Sequence, residues 1–204
     1  MANTGRTLTI GVIAGLLTAG CLIKEEHHTW YLEPDSGAVT WVVLEQDVRS
    51  DAKTEAERAL EELGFWNDVQ AEDHGTARTF RELNATRIRT QVLRSRTPFG
   101  VLTEASFPSI DELGLALLTY ESDAAKGSST LERDGAVSEW TWTVPADWLD
   151  GDFPLRIVLV RGHFESAAGF VLSSDNRAAT IEERDQGAQG PAVLRLRWST
   201  GGGQ

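Results

Sequence analysis

Two acids and two histidines stand together as Glu25-Glu26-His27-His28, a few residues after Cys21, which is the chain's sole cysteine. Carboxylate and imidazole are good ligands for a divalent ion. On an extended backbone, however, His27 and His28 point to opposite faces, so the adjacent pair does not chelate one metal. Glu26 and His28 share a face, and the distant His74 or His163 would have to join them. The chain has four histidines and no helical H-E-x-x-H spacing, so neither a metal nor another cofactor is indicated. One cysteine alone forms neither an intrachain disulfide nor a multi-cysteine zinc site.

Other side chains with chemical potential fall into three groups. Arg78, Arg81, Arg87, Arg89, Arg94 and Arg96 crowd one stretch of an otherwise acidic chain. Guanidinium pairs bidentately with carboxylate and phosphate, so this stretch is a candidate contact for anionic lipid or an acidic envelope protein. Alternation puts Arg87 and Arg89 on one strand face, opposite Ile88, at the centre of such a patch. Ordinary solvated salt bridges are the competing reading. Trp140 and Trp142 also share a strand face; alternating aromatics of this kind are core residues more often than a stacking platform. Finally, carboxylate pairs such as Glu182-Glu183 and Asp150-Asp152 would suit an envelope hydrolase with a Trp-lined cleft, but sequence proximity does not establish the separation that acid/base work needs. There is no G-x-S-x-G elbow, no P-loop and no G-x-G-x-x-G, so no catalytic residue is assigned.

The beginning of the chain is more informative. Arg6 is the only charge in the first twenty residues; an apolar run from Thr7 to Leu17 follows, then the small residues Thr18-Ala19-Gly20 before Cys21. This is the order of a signal peptide: positive region, apolar region, cleavage step. The segment Leu17-Thr18-Ala19-Gly20-Cys21 resembles the lipobox of bacterial lipoproteins. The resemblance implies cleavage between Gly20 and Cys21, a diacylglyceryl group on the Cys21 sulfur and an acylated new amino terminus. Thr18 departs from the family's preference for leucine at that place. Two or three acyl chains hold a protein firmly to a bilayer, and the absence of Asp at Leu22 favours, by the same resemblance, the outer over the inner membrane. The resemblance covers the leader alone.

The surplus of 31 acidic over 19 basic residues, a formal charge of -12, excludes broad binding to nucleic acid. Beyond the anchor the chain reads as one α+β domain spanning 27–199, mainly antiparallel sheet with two or three helices packed on one side, then a flexible tail at 200–204. Residues 21–26 read as the acylated anchor and a tether of roughly 17 Å at most. Residues 27–46 read as a hairpin around Pro34-Asp35-Ser36-Gly37. Trp30, so near the anchor, suits the headgroup level of a membrane.

Residues 51–63 have helical periodicity, with Ser50 as N-cap and Gly64 as stop. A second helix is expected over about 68–84, strands over 86–94 and 99–107, and a short helix from Ser109 with Glu112 in capping-box spacing. Asp134-Gly135 marks a hairpin. The runs 155–166 and 169–174 read as a strand pair, and 192–198 as a strand with Leu194, Leu196 and Trp198 inward. Taken together, the expectation is a non-enzymatic, lipid-anchored envelope protein serving binding, assembly or structure.

Overall fold

The computed structural model describes residues 21–121, 127–145, 155–182 and 190–200. The leader with Gly20, Asp150, Asp152, Glu183 and residues 201–204 lie outside the described residues.

The first strand, β1 (Leu22–Leu32), begins directly after Cys21, so residues 22–26 are strand and not tether. They are drawn into the ladder because β2 (Val39–Ser50) runs four residues past the expected end and offers them partners, with Leu22 opposite Ser50. Near that end Asp47 adopts φ 51, which Asp tolerates better than most residues. The register slips there against both neighbours of β2, the signature of a bulge. The slip resets the alternation: Val39, Trp41, Val43 and Glu45 are buried before it, Val48 and Ser50 after it. Helix α1 (Glu55–Gln70) starts at Thr54, whose hydroxyl accepts from the Glu57 N–H while the Glu57 carboxylate accepts from the Thr54 N–H. Ser50, the expected cap, is still strand, and its hydroxyl donates to Glu61. Gly64 lies inside the helix, where an added Cβ would meet open space, so it lowers helix propensity without ending the helix.

Helix α2 (Gly75–Glu82) is followed by β3 (Arg87–Arg94), β4 (Phe99–Phe107) and α3 (Ile110–Glu121). The hairpin of β5 (Ser128–Asp134) and β6 (Val137–Val144) turns at Gly135, whose φ of +62 opens a tight two-residue loop. The last strands are β7 (Leu155–Leu159), β8 (His163–Ala168), β9 (Phe170–Leu172), β10 (Ala178–Ile181) and β11 (Ala192–Ser199).

Instead of one sheet, the described residues form two: seven strands in the order β3-β4-β2-β1-β7-β10-β9, and four in the order β5-β6-β11-β8. Pairing is antiparallel except between β1 and β7. The expected strand pair at 155–174 is corrected too. β7 joins the larger sheet, β8 the smaller, and the chain crosses back at Gly169 (φ +72), where a Cβ would run into the Leu194 side chain. Alternation reports a buried face but not which sheet provides it, which is why sequence does not reveal the split.

One apolar core joins both sheets, α2 and α3. Trp30 lies opposite Trp41 in the β1–β2 ladder and meets Trp140 and Trp142 of the smaller sheet at 6.1 and 6.2 Å. Trp41 takes Phe80 of α2 edge-on at 5.0 Å. The indole N–H of Trp142 donates to the Gly114 carbonyl of α3 and that of Trp198 to the Pro34 carbonyl. Trp30 is therefore wholly buried and does not reach a headgroup layer. Helix α1 is fastened separately, by Phe65 and Trp66 against Phe99.

Candidate functional site

The inward face of β1 changes character along its length. Leu32 and Trp30 enter the apolar core, while Glu26 and Lys24 continue the same face toward Cys21. On β2, Glu45 follows Val39, Trp41 and Val43 in the buried phase and is 1% exposed. The Lys24 ammonium bridges the two carboxylates, 2.7 Å from Glu26 and 2.5 Å from Glu45 Oε1. His74 occupies the N-cap of α2 but makes no capping bond with its side chain. Its ring turns inward, 1% exposed, placing Nε2 at 2.9 Å from the Thr103 hydroxyl of β4 and 3.7 Å from Glu45 Oε2. His28, next on the β1 face, accepts at Nδ1 from the Trp41 indole at 3.2 Å.

Burial pulls the Lys24 pKa down, but Glu45 and Glu26 together outweigh it, and the ammonium titrates above its ordinary 10.5. Burial holds His74 below its ordinary 6.5, against the opposing pull of Glu45. The His74 ring is accordingly neutral at neutral pH, and its approach to Glu45 is not an ion pair. Burial also lowers the His28 pKa, against Glu26.

Two atoms in this cluster lack a hydrogen-bond partner: Glu45 Oε2 and His74 Nδ1. Both residues line a cavity of about 200 Å³ between β1, β2, α1 and α2. Leu22, Val48 and Phe65 supply apolar wall, and Arg78 pairs with Asp68 at 3.4 Å across the exposed side. Because Glu45 Oε2 lies on the Nε2 side of the ring, we assign the imidazole proton to Nε2, which leaves Nδ1 an acceptor.

This geometry is not that of a catalytic triad, in which carboxylate and hydroxyl engage opposite ring nitrogens. Here both approach Nε2, and Thr103 is fully buried. Nor do Glu26 and Glu45 face each other across a substrate-sized gap, as a glycosidase requires; they clasp one ammonium. No group of three metal-ligating side chains forms among the described residues. His28 and His74 do come to one face of the larger sheet, but Lys24 takes the place a cation would need.

Of the residues singled out by sequence, Cys21 is exposed, its backbone N–H donating to Asp51 at 2.6 Å and its carbonyl accepting from the Asp51 N–H at 3.1 Å. Arg87 and Arg89 do share one exposed face, on β3 at the edge of the larger sheet, remote from the cavity; Arg89 stands opposite Glu104 in the ladder. His163 is exposed on β8 and takes no part. Trp140 and Trp142 are core residues and line no cleft. Lys24, Glu45 and Thr103 did not stand out in sequence, and His74 did so only as a histidine that would have to join Glu26 and His28. For Glu45 and Thr103 a signal exists: each falls in the apolar phase of its strand.

No helix among the described residues is long and apolar enough to cross a membrane. No protein-family model matches the chain, and no curated protein matches it. Among solved structures, the chain is similar to the folded domain of the Mycobacterium tuberculosis LppM protein, determined by NMR. Identity is 12%, with 91% of this chain and 94% of that chain covered at a TM-score of 0.43, a level that carries no argument about this protein.

Proposed function

We propose that this chain is a membrane-anchored envelope lipoprotein with a non-enzymatic binding role, held to the outer membrane through acylated Cys21. The observation that carries the reading is the position of Cys21. It follows a segment that resembles a lipobox, is exposed, and stands directly before the first strand of the domain. Its sulfur is open to modification, and its nitrogen, once acylated, remains an amide N–H able to keep the bond to Asp51. The cavity beside β1, walled by both charged and apolar side chains, supports a binding role over a purely structural one.

Intact mass measurement of wild type and Cys21→Ser, with detergent phase partitioning, tests the anchor. Wild type is expected to have lost residues 1–20, gained diacylglyceryl and acyl mass, and entered the detergent phase. Cys21→Ser is expected to keep its leader and gain no lipid. Wild-type protein with an intact leader and a free thiol would overturn the reading.

A further inference from the structure

We infer that the outward face of α1, centred on Leu60 and Leu63, lies in the lipid interface of the bilayer that holds Cys21. The inference rests on the anchoring proposal and adds to it the surface on which the domain sits.

The polarity of this helix is reversed. Glu61 and Glu62 turn toward the domain, accepting from Ser50 of β2 and, for Glu62, from Thr97 of the β3–β4 turn as well. Phe65 and Trp66 pack on Phe99 along the same side. Glu57 is held by Thr54, Arg58 by the Ala52 carbonyl and Asp68 by Arg78, so these charges too are committed to the domain. The opposite side carries Ala56, Ala59, Leu60, Leu63, Gly64 and Asn67, every one exposed and none charged. Leucines three residues apart stand together on one helix face, and these two are 71% and 55% exposed. A helix on the surface of a globular domain turns its apolar stripe to the core. Here the stripe faces away, and a contiguous exposed apolar patch marks a surface that meets something else.

What it meets follows from where it lies. β1 starts directly after Cys21, so no tether separates the domain from the residue proposed to be acylated. Asp51 bonds Cys21 both ways, Ser50 stands opposite Leu22, and Glu61 takes the Ser50 hydroxyl, which brings Leu60 within a few side chains of the anchor. Acyl chains entering a bilayer at Cys21 draw this end of the domain to the headgroups. An interfacial helix sinks its apolar face to the boundary of headgroups and acyl chains and is favoured by cations beside anionic lipid. Lys53 precedes α1, Arg94 ends β3, and Arg96 follows in the turn whose Thr97 donates to Glu62. All three are exposed, and none pairs with an acid among the described residues. A protein partner accounts for the apolar stripe but not for its place beside Cys21 and the unpaired cations.

Spin labels on the acylated chain test the docking, because with Cys21 modified an introduced cysteine is the only free thiol. Leu60→Cys, Leu63→Cys and, as a control, Leu115→Cys are labelled in vesicles of phosphatidylethanolamine and phosphatidylglycerol. Leu115 is 48% exposed on α3, whose first residue bonds Gly37 at the end of the sheet away from Cys21. All three are surface sites, so the fold is not at stake. The Leu60 and Leu63 labels are expected to be reached by oxygen and shielded from a water-soluble nickel chelate, at a depth of about 5–10 Å. The Leu115 label is expected to behave as in water. With Arg94→Glu and Arg96→Glu added, the Leu60 label is expected to rise toward the phosphates. Intact mass of the same samples separates the two readings. Acyl mass with water-like labels at Leu60 and Leu63 overturns the docking and leaves the anchor standing; no acyl mass overturns the anchor and the docking with it. Labels shielded from both reagents and broadened by a neighbouring label would assign the face to a second copy of the chain and overturn the inference as well.

Discussion

The two ends of β1 and β2 face the same way and are built on opposite principles. Toward the hairpin turn, Trp30 and Trp41 meet edge-on, Trp30 packs on Trp140 of the smaller sheet and Trp41 on Phe80 of α2, aromatic contacts beside which the Trp41 indole bond to His28 is the polar exception. Toward Cys21, the same face holds Lys24, Glu26, Glu45 and, from α2, His74. The first arrangement removes large rings from water and stabilises the fold outright. The second places charges where water is scarce and only partly compensates them. A strand pair can therefore carry apolar packing at one end and a buried charge cluster at the other, with the backbone ladder common to both.

That contrast can be attacked at several points. Trp142→Ala, at the aromatic end, is expected to cost about 3–5 kcal/mol in denaturant unfolding, since it leaves a cavity between the sheets and the Gly114 carbonyl without its donor. Glu45→Leu, at the charged end, is expected to cost less, about 1–3 kcal/mol, because Lys24 keeps Glu26 and has 31% of its side chain in solvent. Lys24→Met combined with Glu45→Leu should recover that loss or exceed wild-type stability. A double variant weaker than Glu45→Leu alone would show the charged end to be a net stabiliser. Thr103→Val keeps shape while removing the hydroxyl at His74 Nε2, and about 1 kcal/mol is expected from the same measurement.

Acid should act on the charged end selectively. The folded pKa of His74 lies below 6.5, so on acidification the unfolded chain takes up a proton that the folded ring, packed by Glu45, Lys24, Asp68 and Arg78, refuses. Its contribution is complete above pH 6.5 and is lost as pH falls below that value. His28 behaves alike. Urea midpoints at about pH 7.5 and 5.5 should therefore separate, and less so in His74→Asn. Lys24 is shifted the other way and loses its contribution only in strong alkali. The smallest effect belongs to Arg87→Glu with Arg89→Glu: stability within about 0.5 kcal/mol of wild type. Run in a Cys21→Ser background, the same pair tests the anionic-lipid reading, which requires weaker adhesion to anionic liposomes.

Local pattern makes much of the sheet legible in the sequence. The strand 99–107 coincides with β4, Leu194, Leu196 and Trp198 point inward as their alternation requires, and Asp134-Gly135 marks the β5–β6 turn. Where pattern misleads, a tertiary partner decides the matter. Ser50 looks like a cap until β2 claims it for the ladder with Leu22, and Gly64 looks like a stop until Phe65 and Trp66 pin the helix beyond it to Phe99. The bulge at Asp47 is likewise invisible in a two-residue period. Of the candidate site, Glu45 could be noticed as a carboxylate in apolar phase. His74 is named only as one of two distant histidines that would have to join Glu26 and His28, and its place beside Glu45 and Thr103 is set by the tertiary fold.

The placement of β1 bears on mechanics. The strand after Cys21 is neither first nor last in the sheet: it is paired to β2 over its length and to β7 from His28 to Leu32. A force applied at Cys21 along the strand axis loads the hydrogen bonds to both neighbours across their direction and nearly together, since ladder bonds run transverse to the strands. An anchor on an edge strand such as β3 or β9 would expose one pair at a time to peeling. The proposed anchor at Cys21 would thus moor the chain at a point of its sheet well arranged to resist being pulled apart.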